Sequence, residues 1–162
     1  MGNDGLVIAL EPHPVNYKLL CMNVRLNRLR NVHALNLAAY SQNCELPLFI
    51  GITSEYHTVI KNISSAISSN FIKVQAKTLD DILNDFKNLS KVEYIKIDVK
   101  GAEYQVLKGA IKSIKKFKPK LIIEIWNPGK VLPFMTKLGY CYERIGNTNN
   151  YFFYFPKDVE RM

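Results

Sequence analysis

Cysteine and histidine are scarce in this 162-residue chain, and long apolar runs are missing altogether. Its three cysteines, Cys21, Cys44 and Cys141, are scattered and form no CxxC pair. That excludes a disulfide framework and offers no zinc-ligand spacing, so a reducing, cytoplasmic setting is expected. Cys21 and Cys141 stand among apolar neighbours and should be buried. His13, His33 and His57 form no HxxxH or HExxH pattern, and no Asp cluster accompanies them, so no metal site is expected. No stretch approaches the roughly 18 apolar residues that a membrane span requires. The first residues have neither the basic start nor the apolar core of a secretory signal. Low-complexity segments, internal repeats and internal linkers are also lacking, which points to one soluble globular domain over 1–162.

The chain carries 22 basic and 14 acidic residues, a net charge of +8. The densest basic run, Lys112-Ser-Ile-Lys-Lys-Phe-Lys-Pro-Lys120, reads as the polar face and last turn of a helix, where cations suit the dipole. No nucleic-acid module signature accompanies the charge, which argues against a nucleic-acid partner.

Apolar runs alternate with helical spacing. Leu6–Leu10 reads as a strand covered on both faces, ended by Pro12 and Pro14. Val15–Leu29 has a loosely helical pattern, and Asn31–Tyr40 follows as a strand. Residues 44–77 form a β-rich insertion. In it Cys44–Gly51 is a strand that Pro47 confines to an edge. Thr53–Asn70 is a mobile loop with one short strand near Thr58–Ile60, and Phe71–Lys77 is a half-exposed strand. Thr78-Leu-Asp-Asp81 has the capping pattern for a helix to about Asn88. Val92–Asp98 is a buried strand, Glu103–Phe117 a helix stopped by Pro119, and Leu121–Trp126 a further buried strand. A short helix, Val131–Leu138, closes at Gly139. Tyr140–Ile145 and Tyr151–Phe155 make a hairpin about the Gly146–Asn150 turn. The alternation predicts an α/β fold: a mostly parallel, doubly wound sheet with an antiparallel C-terminal hairpin.

Two strand-end carboxylates stand out. Ligands of open α/β sheets bind outside the carboxyl ends of the strands, and an acid there can accept hydrogen bonds from ribose hydroxyls. Glu11 ends the first strand and Asp98 ends the strand before Gly101. Lys96 shares a strand face with Asp98 and needs a charged partner, either Asp98 or Glu124. Glu124 itself lies in an apolar strand, where an unpaired charge would be costly. Glu103 reads as an early-helix acid favoured by the dipole.

In order and spacing these segments resemble the FkbM-type methyltransferases, a branch of the S-adenosylmethionine-dependent class I, Rossmann-like fold. The resemblance rests on Glu11-Pro-His-Pro-Val-Asn-Tyr17, on Asn23 and Asn27, on Asn31-Val32, and on Thr78-Leu-Asp-Asp81. Its most specific part is Lys96-Ile-Asp-Val-Lys-Gly-Ala-Glu103, followed by Val106-Leu-Lys-Gly-Ala110 and Leu121-Ile-Ile-Glu-Ile125. It runs from Leu6 to about Phe155. There are two departures. Family members usually have Glu where this chain has Lys100. They also begin with a strand and a glycine-rich turn before the Glu11 strand, whereas Gly2-Asn-Asp-Gly5 resembles only the tail of the helix that follows that turn.

The resemblance therefore implies a class I domain lacking its first strand-helix unit, on the order of 30 residues or fewer. In that fold the absent strand lies between the strands ending at Glu11 and Asp98. Two inner edges are then left open, at about 1–3 kcal/mol for each buried unpaired group. Direct pairing, a strand from a second copy, or a complementary N-terminal fragment would close the gap. By the same resemblance, Glu11 binds the ribose of S-adenosylmethionine and Ala39 lies near the adenine. Asp98 faces the methionine moiety or the acceptor, while Lys96 orients and Glu124 helps bind the acceptor. The implied activity is O-methylation of a glycan or small-metabolite hydroxyl. The alternative is a catalytically inactive remnant or binding module, such as one half of a split methyltransferase.

Overall fold

Val7-Ile-Ala-Leu10 forms strand β1, and Pro12 and Pro14 turn the chain into helix α1 (Pro14–Leu26), with Pro14 in its first turn. Strand β2 (Val32–Leu35) returns parallel to β1, with Val7 opposite Val32. The computed structural model describes residues 5–51, 57–60, 67–87 and 89–156. They fall into two units, Met1–Lys77 and Thr78–Met162.

In the first unit, the strand expected over Asn31–Tyr40 is two strands in two sheets. The break is at Asn36, whose side-chain amide donates to the carbonyls of Glu11 (2.8 Å) and Pro12 (3.0 Å). Beyond it, β3 (Ala38–Ala39) runs parallel to β5 (Ile67–Lys77), and β4 (Cys44–Gly51) pairs antiparallel with β5. The order β3-β5-β4 leaves β4 at an edge, as Pro47 requires. β5 begins four residues earlier than its alternation suggests, at Ile67 rather than Phe71. Of the loop expected over Thr53–Asn70, residues 53–56 and 61–66 lie outside the described residues. Thr58 within it forms a two-way bridge with Phe49. Ala38, Leu48, Val74 and Ala76 make a small core here.

The second unit opens on α2 (Leu79–Asp85), where the Thr78 hydroxyl accepts the Asp81 N–H at 3.1 Å. The helix ends at Asp85; Asn88, its expected end, lies outside the described residues. Then come β6 (Tyr94–Ile97), α3 (Glu103–Lys108), α4 (Ile111–Phe117) and β7 (Lys120–Glu124). They are followed by α5 (Pro128–Lys137), β8 (Cys141–Arg144) and β9 (Asn150–Tyr154). The helix expected over Glu103–Phe117 is broken at Gly109-Ala110. There Asp80 caps α4, its carboxylate accepting the Lys112 N–H (3.1 Å) and Ser113 N–H (2.7 Å). Lys112, Lys115 and Lys116 lie on the exposed side of α4. Val106, Leu107, Ile114, Leu121, Ile123 and Phe153 form the buried centre of the unit.

The α/β class holds, but the sheets are mixed rather than mostly parallel. β1·β2, β3·β5 and β6·β7 are parallel; β4·β5, β7·β9 and β8·β9 are antiparallel. Three further expectations are corrected. β1 is half-buried rather than covered on both faces. β6 alternates, with Tyr94 and Lys96 exposed and Ile97 buried, because it stands at the edge of the order β6-β7-β9-β8. Cys141 is exposed, since all four residues of edge strand β8 are exposed, and Cys21 is half-buried on α1. Among the described residues β1 pairs with β2 alone and β6 with β7 alone, so each presents one open edge.

Candidate active site

Parallel pairing of β6 with β7, with Ile97 opposite Ile123, brings the carboxyl ends of both strands level. Asp98 follows β6 directly and Glu124 is the last residue of β7. Because β9 is antiparallel to β7, its first residue, Asn150, lies opposite Glu124. The next residues after β6 form a tight turn. Lys100 (φ 44°) and Gly101 (φ 95°) are both left-handed, and the Ala102 N–H reaches back to the Val99 carbonyl at 3.3 Å. A side chain at the first of these positions costs on the order of 1–2 kcal/mol, since Cβ crowds the carbonyl.

That strained backbone aims the Lys100 ammonium between the two acids. Its Nζ lies 2.5 Å from Glu124 Oε2 and 3.1 Å from Asp98 Oδ1. Lys96 Nζ completes the network, 3.5 Å from Asp98 Oδ2 and 3.4 Å from Asn150 Oδ1. Lys100 and Glu124 are largely covered, while Asp98 and Lys96 are about half exposed. Burial pushes the Asp98 carboxyl up, but hydrogen bonding with Glu124 and Lys100 and the charges of Lys96 and Lys100 outweigh it. Asp98 is thereby held below the usual carboxylate range. Burial lowers Lys100, and its bonds to Glu124 and Asp98 overcome that, so its ammonium is held above the ordinary lysine value. Glu103 is 1 % exposed, and its Oε1 accepts the Gly101 N–H at 2.6 Å. Burial raises its pKa against the lowering effect of backbone N–H groups of Gly101, Glu103 and Trp126. Glu103 is thus more than a dipole-favoured acid: it ties the turn after β6 to the chain leaving β7.

In the first unit Glu11 is half-buried at the end of β1, its Oε1 accepting the His13 N–H at 2.8 Å. His13 is half-buried. Its ring packs on His57 (centroids 4.4 Å apart, 41° tilt), and its Nδ1 is buried without a hydrogen-bond partner among the described residues. His57 Nδ1 accepts the Gly51 N–H at 3.1 Å. Burial, with the neighbouring His13, depresses the His57 pKa. Ala39 is half-buried in β3, paired with Lys77 of β5, in a different sheet from β1.

The structure therefore brings together Lys96, Asp98 and Glu124 and adds Lys100 and Asn150; Glu11 stands with His13, His57 and Asn36. Lys96 takes Asp98 as its partner, while Glu124 is taken by Lys100. Lys100 was visible in the sequence only as a reversed charge, and the signal for its role was the Lys-Gly pair, which marks a left-handed turn. His57 carried no signal. Among the described residues no group of three or more His, Cys, Asp and Glu is arranged to hold a metal ion. None of their helices is long and apolar enough to cross a membrane.

Known proteins resemble this chain in sequence and in fold. The chain is 27% identical over 154 residues to methyltransferase sdnD of Sordaria araneosa, spanning 78% of this chain and 60% of that protein. It is 26% identical over 119 residues to methyltransferase 1 of Beauveria bassiana (strain ARSEF 2860), spanning 64% of this chain and 48% of the relative. Its fold is that of the crystal structure of methyltransferase FkbM from Methylobacillus flagellatus KT, with a TM-score of 0.63 at 17% identity. That match covers 93% of this chain and 36% of the solved one. The chain thus spans between about a third and three-fifths of the proteins it matches. The family model described as the methyltransferase FkbM domain matches residues 1–142, so the chain belongs to the FkbM methyltransferase family.

Proposed function

We propose that this domain serves S-adenosylmethionine-dependent methyl transfer to a hydroxyl oxygen of a glycan or small metabolite. The carrying observation is the charge-balanced cluster of Asp98, Lys100, Glu124 and Lys96 at the carboxyl ends of β6 and β7, in a chain of a methyltransferase family. S-adenosylmethionine, when bound, supplies the methyl group from its sulfonium. Glu11 fits a ribose: one oxygen is held by the His13 N–H, which leaves the other to accept from a hydroxyl. Ala39, small and half-buried, suits the approach of an adenine ring.

Asp98 is ionised at neutral pH and half exposed, so it can accept a hydrogen bond from an acceptor hydroxyl. A depressed carboxylate is a weak base. Its contribution is to aim the oxygen for in-line attack, where placement can supply much of the rate, and the hydroxyl proton leaves to the solvent that reaches this half-exposed carboxylate. Lys96 by its ion pair, and Glu124 through the Lys100 bridge, hold Asp98 in place, with Glu124 a further contact for the acceptor. The unpaired thiols of Cys21, Cys44 and Cys141 suit a reducing, cytoplasmic setting.

A second reading is a binding half that acts together with another polypeptide, either a second copy or a complementary N-terminal fragment. It is favoured by the open edges of β1 and β6 and by the share of its relatives that the chain spans. Thermal shift with S-adenosylmethionine tests both. Saturating cofactor should raise the melting temperature, and Glu11→Ala should remove most of the rise. No shift at millimolar cofactor sinks the first reading for this chain; a shift without methyl transfer to hydroxyl acceptors supports the second.

A further inference from the structure

Helix α1 is apolar on two opposite faces. Tyr17, Leu20, Cys21 and Val24 are half-buried along one side, and the helix packs on β2. Val15, Leu19, Met22 and Leu26 occupy the other side, with exposures of 58%, 52%, 55% and 75%. Their spacing of four, three and four residues is the seam of a two-helix contact. At 1.5 Å per residue the stripe is roughly 16 Å long, about three turns. Lys18 and Arg25 flank it on one side and Asn16 and Asn23 on the other. No acid occurs between Glu11 and Glu45, whereas Lys18, Arg25, Arg28 and Arg30 all lie in that interval.

We infer that the outer face of α1 is a docking surface for an amphipathic helix with acidic flanks, contributed by another polypeptide. Charge selects this occupant. Two copies of α1 would double the cations at one seam without bringing an acid to pair them. A helix that lies on an anionic membrane carries a strongly charged face opposite its apolar one, whereas the face of α1 opposite this stripe is apolar and packs on β2. This docking does not depend on methyl transfer by the chain.

The test uses the intact chain and two synthetic helical peptides of about three heptads, with Leu at a and d and either Glu or Lys at e and g. Fluorescence anisotropy should show binding of the Glu-flanked peptide, weakened by salt, and at least roughly tenfold weaker binding of its Lys-flanked twin. The double variant Leu19→Gln, Leu26→Gln changes only exposed positions, so it should keep its circular dichroism spectrum and lose at least about tenfold in affinity. Equal binding of both peptides, or full binding by the variant, overturns the inference. So does a concentration-dependent dimer in sedimentation that the variant abolishes, which makes the occupant a second copy. Co-sedimentation with phosphatidylserine vesicles in preference to the peptide also overturns it, making the face a membrane contact.

Discussion

The β1-α1-β2 segment and the second unit both carry apolar patterns, yet they bury very different amounts. In the second unit Leu107, Leu121, Ile123 and Phe153 have no exposed surface. Between residues 5 and 37 no residue is fully buried. A pattern states which side chains seek cover; a layer on each side provides it. The second unit has β7 flanked by strands on both edges and helices that interlock through Asp80, whereas β1 has one neighbour and α1 one covered face. Apolar burial contributes about 25 cal/mol per Å², so the two regions should respond differently to the same kind of change.

The largest contrast is in packing. Phe153→Ala should cost about 3–5 kcal/mol in urea unfolding, whereas Leu26→Ala should stay within about 0.5 kcal/mol of the parent. Comparable losses would mean that α1 is covered after all. Next comes the turn after β6. Lys100→Gly and Lys100→Ala both remove the contacts to Asp98 and Glu124, so their difference isolates the left-handed backbone. The glycine variant should be about 0.5–1 kcal/mol the more stable. If alanine matches it, the turn carries no strain.

The smallest effect separates the histidine pair from the acidic cluster. The folded state resists protonation of His57, while the unfolded chain takes up that proton below the ordinary value of 6.5. Stability should therefore fall as pH is lowered through about 6.5, and His57→Gln should flatten that slope in melting temperature. Among the described residues, His13, against its ring, is the titratable group that acts on it. The opposite order applies to Asp98. Its depressed carboxyl adds stability above the ordinary value of 3.8 and loses it only in stronger acid. A slope that survives His57→Gln would overturn this assignment.

Much of this was legible beforehand where a few neighbouring residues decide. Pro12 and Pro14 closed β1 and opened α1, Thr78 capped α2, Gly139 ended the α5 turn, and the Gly146 turn folded β8 onto β9. Glu11, Lys96, Asp98 and Glu124 were identifiable because each interrupts or ends an apolar run, where a charge needs a reason. The break between α3 and α4 was not legible. It depends on Asp80, 32 residues before its partner Lys112, and no local preference at Gly109 announces so distant a cap. The burial of β1 and β6 was overestimated for a related reason, since an apolar run records a need for cover and not whether a neighbour supplies it.

Local chemistry decided most of the strands and helices and where the acids stand, because hydrogen bonds and side-chain periodicity act over a few residues, and the order of the motifs carried the resemblance to the family. Only the folded chain decided that Lys100 bridges Asp98 and Glu124, that the sheets are mixed and that α1 keeps an apolar face outward. Those outcomes depend on which distant segments meet, and side chains far apart in sequence interact only once strand pairing has brought them within reach.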